Sequence, residues 1–191
     1  AIWARFWFLF LFTFKNLEEK IAIAKHAENI LDRADALVSL RNIDLNKKEK
    51  DLREILVQGA NQMKIALAES QINNLLAYIR EFDKWNKAYN LSAIRDIRQM
   101  VARHLLDSLS VVPYFLKTLH STDRVIDVGT GGGLPGIPLA IMFPEKKFTL
   151  LDSAGKKTRF LFHVKTLLKL ENVSVENRRV EESHPAQKFN A

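Results

Sequence analysis

The stretch IDVGTGGGLPG, residues 126–136, holds five of the chain's seven glycines directly behind an apolar, β-branched run. Glycine loses more conformational freedom on folding than any other residue, so such a cluster implies a backbone that turns sharply or lies close against another molecule. About 20 residues further on, the next apolar run ends in Asp152, where a carboxylate can accept hydrogen bonds from both hydroxyls of a ribose. Together these features point to a cofactor that contains a nucleoside. The dinucleotide pattern G-x-G-x-x-G requires glycine at 134, where this chain has Leu134; its spacing is G-x-G-x-G, through Gly129, Gly131 and Gly133. The phosphate-loop pattern G-x-x-x-x-G-K-[ST] is absent as well. Asp127 sets an acidic group beside the loop, which suits a cofactor carrying an ammonium and a sulfonium rather than a pyrophosphate. S-adenosylmethionine is such a cofactor. On the glycines alone, tight turns without any ligand stay open as the plainer reading.

The elements around the loop follow from the change of hydrophobic period. RVIDVG (124–129), KKFTLLDS (146–153) and NVSVEN (172–177) are short β-branched or apolar runs that read as buried strands. LPGIPLAIMFP (134–144) and AGKKTRFLFHVKTLLKL (154–170) read as the helices between them, Pro135 falling near a first turn, where its missing N–H does no harm. Strand–helix–strand–helix–strand at this spacing predicts a right-handed βαβαβ unit with a parallel sheet, whose ligand crevice lies where the first strand meets the first helix. Upstream, the chain reads as helical. One amphipathic helix is expected over 15–43, where Leu17, Ala24, Leu31 and Val38, and Ile23, Ile30 and Leu37, recur every seven residues, with a charged linker or helix end at 44–51. A break is expected near Gly59 and Asn61, then a helix burying Ile72, Leu75, Leu76, Ile79 and Phe82, a loop over 86–96, and a helix over 97–116 burying Met100, Leu105, Leu109 and Val112 that Pro113 kinks or ends.

The chain has 191 residues and a formal net charge of +7, a balance that attracts polyanions, chiefly nucleic acid or an anionic membrane face. It has no cysteine, which excludes disulfides, thiolate zinc sites and a cysteine nucleophile, and its five histidines show no ligand spacing, so no metal is expected. The segment AIWARFWFLFLFTF (1–14) carries two of the three tryptophans and five of the twelve phenylalanines but is too short to span a bilayer; it is expected to stand outside the folded domain, with anchoring to a membrane surface the less favoured alternative.

KWNKAYNLSAIRD (84–96), RHLLDSL (103–109), IDVGTGGGLPGIPLAI (126–141), LLDSAGKKTRFL (150–161) and NRRVEE (177–182) resemble the RsmG (GidB) family, bacterial methyltransferases that modify N7 of a guanine in 16S ribosomal RNA with S-adenosylmethionine. The resemblance runs from about Leu52 to the C-terminus. It implies an α/β fold: N-terminal helices followed by the first three strands of a Rossmann-like class I methyltransferase sheet. Residues 49–120 would form a helical cap and 121–191 the first half of the cofactor domain, with 1–48 an extension unmatched to the family. It further implies that Asp127, Gly129, Gly131, Gly133 and Leu134 line the methionine end of the cofactor, that Asp152, with Ser153 beside it, takes the ribose, and that Val180 and Glu181 sit at the adenine. Asn86, Lys87, Asn90, Arg103, His104 and Asp107 would lie on the RNA side. The implied partner is 16S ribosomal RNA or the small ribosomal subunit, the compartment the cytoplasm, and the complete protein a monomer.

Each residue also has a plainer role. His104, Asp107 and Ser108 share one helix face, where a local hydrogen-bond cluster is expected rather than a catalytic triad. Lys84 and Lys87 read equally as solvated charge, Trp85 as a core anchor, and GKKTRF (155–160) as either a grip on RNA phosphate or the outer face of a helix. Guanine N7 carries a free lone pair, so methyl transfer needs no general base, and no catalytic residue is named; the chemistry asks for positioning and exclusion of water. The chain stops where the family's fourth strand would begin, so a C-terminally truncated enzyme, weakly active or inactive alone, is expected. The alternative is a non-catalytic RNA- or protein-binding helical module that keeps a vestigial cofactor half-site.

Overall fold

No glycine or proline falls between residues 17 and 58, and the Lys, Glu, Leu and Ala that dominate this stretch lose little freedom in a helix. In the computed structural model they form one helix, α1 (Leu17–Gln62). The structure describes residues 17–118, 120, 123–182 and 189, without the side chains of 17–24, 26, 27, 40 and 43. The charged stretch 44–51, expected as a linker or helix end, is helical throughout. Its Lys48 Nζ reaches Asp44 Oδ2 at 2.8 Å, an i,i+4 pair of the kind that supports a solvated helix. The chain divides into two units, Ala1–Glu49 and Lys50–Ala191. In the first, Ile30, Leu31, Leu37 and Val38 of the seven-residue pattern are exposed. The side chains of Leu17, Ile23 and Ala24, and the apolar segment 1–14, lie outside the described residues.

The second unit begins with the last turns of α1, which bury Leu52, Leu56 and Ala60. The expected break falls at the end of this helix: Gly59 remains helical and presses on Leu106, and the turn is made after Gln62. Helix α2 (Glu69–Tyr89) starts where the Ala68 N–H donates to Gln71 Oε1 at 2.8 Å. It runs four residues past the expected Trp85, because nothing in Asn86–Tyr89 breaks it, and stops at Asn90 in the left-handed conformation. Its buried face holds the five apolar residues expected there, together with Tyr78 and Asn86.

A helical stretch follows in three registers: α3 (Ile97–Met100), a π-helical turn (Val101–Leu106) and α4 (Asp107–Leu109). Asp96 caps it by accepting from the Arg98 N–H at 3.0 Å. Met100, Leu105 and Leu109 point inward as the pattern predicts. The break expected at Pro113 comes earlier, at Ser110–Val111; Pro113 instead opens α5 (Val112–Thr118), in a first turn that has no use for its N–H.

Three strands, β1 (Arg124–Val128), β2 (Lys147–Leu151) and β3 (Val173–Glu176), pair in parallel in the order β1-β2-β3. Val125 faces Phe148 and Phe148 faces Val173 in the register. On its other side β1 has no strand partner among the described residues. The crossovers are α6 (Gly136–Met142) and α7 (Gly155–Leu167), each shorter than its apolar run suggested. Pro135 stands just outside α6 as its cap rather than within it. Helix α2 packs against both, and against α7 it sets Phe82 edge-on to Phe160 with ring centroids 5.8 Å apart. The architecture is therefore α/β: helices followed by a three-stranded parallel sheet. Among the described residues, no helix is long and apolar enough to cross a membrane, and no cluster of His, Asp and Glu is arranged to hold a metal.

Asn172, just before β3, donates its side-chain amide to the carbonyls of Ala140 (3.0 Å) and Phe143 (3.2 Å), tying the sheet to the end of α6. Replacing it by alanine leaves two buried acceptors without this donor. Asn172→Ala is expected to lower unfolding stability by about 1–3 kcal/mol, seen in urea as an earlier midpoint with an unchanged slope.

Candidate functional site

The glycine loop begins as a continuation of the sheet, with the Gly129 N–H donating to the Leu151 carbonyl at 2.8 Å. Gly129, Gly131 and Gly133 all have positive φ, at 72°, 63° and 89°. At Gly133 the requirement is double: φ favours glycine, and a Cβ would stand 2.6 Å from Ile137 Cγ1 and 2.8 Å from Leu161 Cδ2. Gly136 lets α6 approach the sheet, since a Cβ there would meet Leu150 Cδ2 at 2.2 Å and Asp127 Oδ2 at 2.7 Å.

Two carboxylates hold this loop. Asp127 Oδ2 accepts from the Thr130 hydroxyl at 2.6 Å and from the Gly136 N–H at 2.9 Å, so it ties the strand end to both the loop and the start of α6. Burial pushes its pKa above the ordinary aspartate value, against these two hydrogen bonds, which pull it down. Asp152, 6% exposed, accepts from the Gly131 N–H on Oδ2 (2.9 Å) and from the Ala154 N–H on Oδ1 (2.8 Å), with Lys157 Nζ 3.6 Å away. Each of its oxygens keeps a second lone pair.

Beside the loop a cleft of about 410 Å³ opens at the carboxyl ends of β1 and β2. Five of the residues expected at a cofactor line it: Gly129, Asp152, Ser153, Val180 and Glu181. A Cβ built on Gly129 would meet nothing within 4 Å, so bare backbone faces open space there. Asp127, Gly131, Gly133 and Leu134 are not among its walls. The first three shape the loop from within, and Leu134 turns to a second cavity. The cleft also carries Lys157, from the GKKTRF stretch read as either a phosphate grip or an outer helix face, and Arg178 and Arg179, to which the sequence reading gave no role. Arg178 is committed to Glu176 Oε2 through both Nε (2.8 Å) and Nη2 (2.5 Å).

The second cavity, about 290 Å³, lies between the π-helical turn and the loop's far end. Arg103, His104 and Asp107 line it with Leu134 and Pro135, so three of the six residues expected on the RNA side come together. His104 Nε2 pairs with the Ser92 hydroxyl at 2.9 Å, and its ring packs on Phe82 with centroids 5.3 Å apart. Burial holds the imidazole below its ordinary pKa, opposed by the Arg103 backbone and the Asp107 charge, so it is uncharged at neutral pH.

The other three residues are placed elsewhere. Asn86 is 1% exposed; its amide donates to the Ile94 carbonyl (2.8 Å) and its oxygen accepts from the Ser92 N–H (2.7 Å). Asn90 is the left-handed cap of α2 and accepts from Arg95. Lys87 is an exposed partner of Asp83 at 2.7 Å. Asn86 and Asn90 thus shape the loop over 90–96 that carries Ser92 to His104. Thr130 and Tyr78 were missed by sequence reading. For Thr130 the spacing Asp127-x-x-Thr130 was a usable signal, whereas Tyr78 reads as one more member of a buried stripe.

The sequence profile of the family described as rRNA small subunit methyltransferase G (GidB) matches residues 71–191. Among curated proteins, the ribosomal RNA small subunit methyltransferase G of Cellvibrio japonicus is 73% identical over 138 residues, covering 72% of this chain and 63% of that protein. The protein of the same name from Ectopseudomonas mendocina is 60% identical over 136 residues (71% and 62%), and that from Saccharophagus degradans 58% identical over 134 residues (70% and 58%). The chain thus spans about three fifths of the length of the curated relatives it matches. Among solved structures, a coclaurine N-methyltransferase bound to N-methylheliamine and SAH overlaps 75% of this chain and 49% of its own, at 11% identity and a TM-score of 0.41, a likeness that carries no argument.

Removing the Asn86 side chain tests its placement. Asn86→Ala is expected to cost about 1–3 kcal/mol in thermal or urea unfolding, because it strips one donor and one acceptor from a buried loop. An Asn86→Ala protein as stable as the parent would mean that the side chain faces a ligand instead.

Proposed function

This chain belongs to the rRNA small subunit methyltransferase G family, and from that premise we propose that it carries the S-adenosylmethionine site of an enzyme that methylates guanine N7 in 16S ribosomal RNA. The observation that carries the reading is the cleft in which the bare backbone at Gly129 faces Asp152. Asp152 is oriented by two backbone N–H groups and keeps lone pairs for two ribose hydroxyls. Ser153 stands next to it, and Val180 and Glu181 supply the wall where an adenine would lie. Residues 49–120 serve as the helical cap and 121–191 as the first half of the cofactor domain.

The cofactor, when bound, supplies a methyl group on a positively charged sulfur that a lone pair displaces in line. The chain's own residues then have three tasks. Gly129 and Asp152 fix the nucleoside end. Asp127 and Thr130 keep the loop in its turn. Arg103, Asp107 and the uncharged His104 offer donors and acceptors to the edge of a purine in the second cavity, which Leu134 also lines. None of them has to remove a proton, because N7 carries none. This agrees with a site in which the half-buried His104 is held uncharged by its surroundings and paired to a serine hydroxyl. The 16S ribosomal RNA, or the small subunit that contains it, is the partner the net charge of +7 favours.

A second reading has its own observation. Ile30, Leu31, Leu37 and Val38 present apolar surface on α1, as a helix that binds another protein or RNA would. Deleting residues 1–48 separates the two: the enzyme reading expects unchanged cofactor affinity.

Calorimetric titration of S-adenosylmethionine into the purified chain is the direct test. The parent is expected to bind, and Asp152→Ala to bind about 100-fold more weakly, the loss of two hydrogen bonds to a charged group. Absence of binding by a chain that circular dichroism shows to be folded would overturn the proposal.

A further inference from the structure

Three consecutive loop residues are each fixed from a different direction. The Gly131 N–H is held by Asp152, at the end of β2, and the Gly133 N–H donates to the Thr130 carbonyl at 2.9 Å, within the loop itself. The Gly132 carbonyl is addressed from the helical cap: Tyr78, fully buried on α2 and 54 positions earlier in the chain, donates its hydroxyl to it at 2.7 Å. One turn further along α2, Phe82 lies so close that a Cβ on Gly132 would stand 2.3 Å from its Cε2. The Tyr78 and Phe82 rings meet edge to face at 6.0 Å, so the hydroxyl has little room to turn away.

The hydroxyl is not explained by packing. A phenylalanine would fill the same core space and bring no polar atom of its own, but would leave the Gly132 carbonyl without this donor. Burial, and to a lesser extent the Asp127 charge, drive the phenol's pKa well above its ordinary value, so it keeps its proton at neutral pH and can donate. A donor aimed at the Gly132 carbonyl has a consequence for the neighbouring backbone. The peptide between Gly132 and Gly133 can rotate only if this bond breaks, and rotation there would disturb the turns on either side.

We propose that Tyr78 is a positioning residue of the cofactor site: its hydroxyl holds the Gly132 carbonyl, and through it keeps the glycine loop in the shape that admits the cofactor. The assignment rests on the reading of that loop as the cofactor cradle. It predicts that removing one oxygen atom, outside the cleft itself, weakens cofactor binding.

The experiment uses the full chain and three proteins: the parent, Tyr78→Phe, and Phe115→Leu. The last is a core change on α5, where Phe115 stacks on Phe143. Thermal unfolding, S-adenosylmethionine affinity by calorimetry and amide hydrogen exchange are measured on each. Tyr78→Phe is expected to weaken binding about three- to tenfold, the size of one neutral hydrogen bond, and to speed exchange at Gly131–Gly133 relative to Leu150 and Leu151 of β2. Phe115→Leu is expected to lower the melting temperature without either effect. Unchanged affinity in Tyr78→Phe, or an equal loss in Phe115→Leu, would overturn the proposal. If the parent itself fails to bind, the cofactor reading falls on its own, and loop exchange decides the role of Tyr78: an unaltered rate in Tyr78→Phe overturns it.

Discussion

A run of glycines has no side chains with which to hold its own shape, and the rest of this fold is arranged around that fact. The backbone from Gly129 to Gly133 uses conformations that few other residues adopt, and it gains nothing from its own packing to offset the freedom it gives up. Its order is imposed from outside. Asp127 ties it to the strand it leaves and the helix it enters, and Asp152 draws it toward the neighbouring strand. Both carboxylates accept N–H groups that a turn leaves without helix or sheet partners, so they satisfy the backbone, and Asp152 also forms part of the cleft's wall.

The surrounding core transmits this order. Close approach of α6 at Gly136 lets the Asp127 carboxylate reach the helix's first N–H, and the bulk of Ile137 and Leu161 closes the space beneath Gly133. An aromatic group formed by Tyr78, Phe82, Trp85, Phe160 and His163 joins α2 to α7, and the same Phe82 ring touches His104. The Glu81–His163 contact at 2.8 Å adds a polar link along that seam. The two cavities are thus walls of one packed body. The loop runs between them, Gly129 facing one and Leu134 the other.

Much of this was legible in the chain because it is written in short-range spacing. The strand–helix alternation shows as a change of period, and strand ends fix where Gly129 and Asp152 must meet. What was not legible depends on partners far away in sequence or on degenerate chemistry. The charged residues 44–51 suit a linker as well as a solvated helix, and only the absence of a breaker argued for the latter. The π-helical turn shifts the hydrogen-bond register of Val101–Leu106 and leaves no trace in composition. Asn86 and Asn90 carry groups that serve a ligand or a loop equally well, and here they serve the loop. Lys157, Arg178 and Arg179 are ordinary surface cations until the fold places them at the cleft. The hydroxyl of Tyr78 finds its acceptor 54 positions away, a distance no local pattern encodes.

That same separation sets an order of events during synthesis. Translation proceeds at about 5–20 residues per second, so Tyr78 is made roughly 3 to 11 s before Gly132. Helix α2 is a local structure that needs only its own residues and those it first meets, and it precedes every strand of the sheet. The nascent glycine loop therefore emerges after the helix whose Tyr78 and Phe82 it lies against, while Phe160 and His163, which complete that aromatic seam, follow later still. The cap is thus made before the cradle it holds, and the seam that fixes the cap in place is closed only after both.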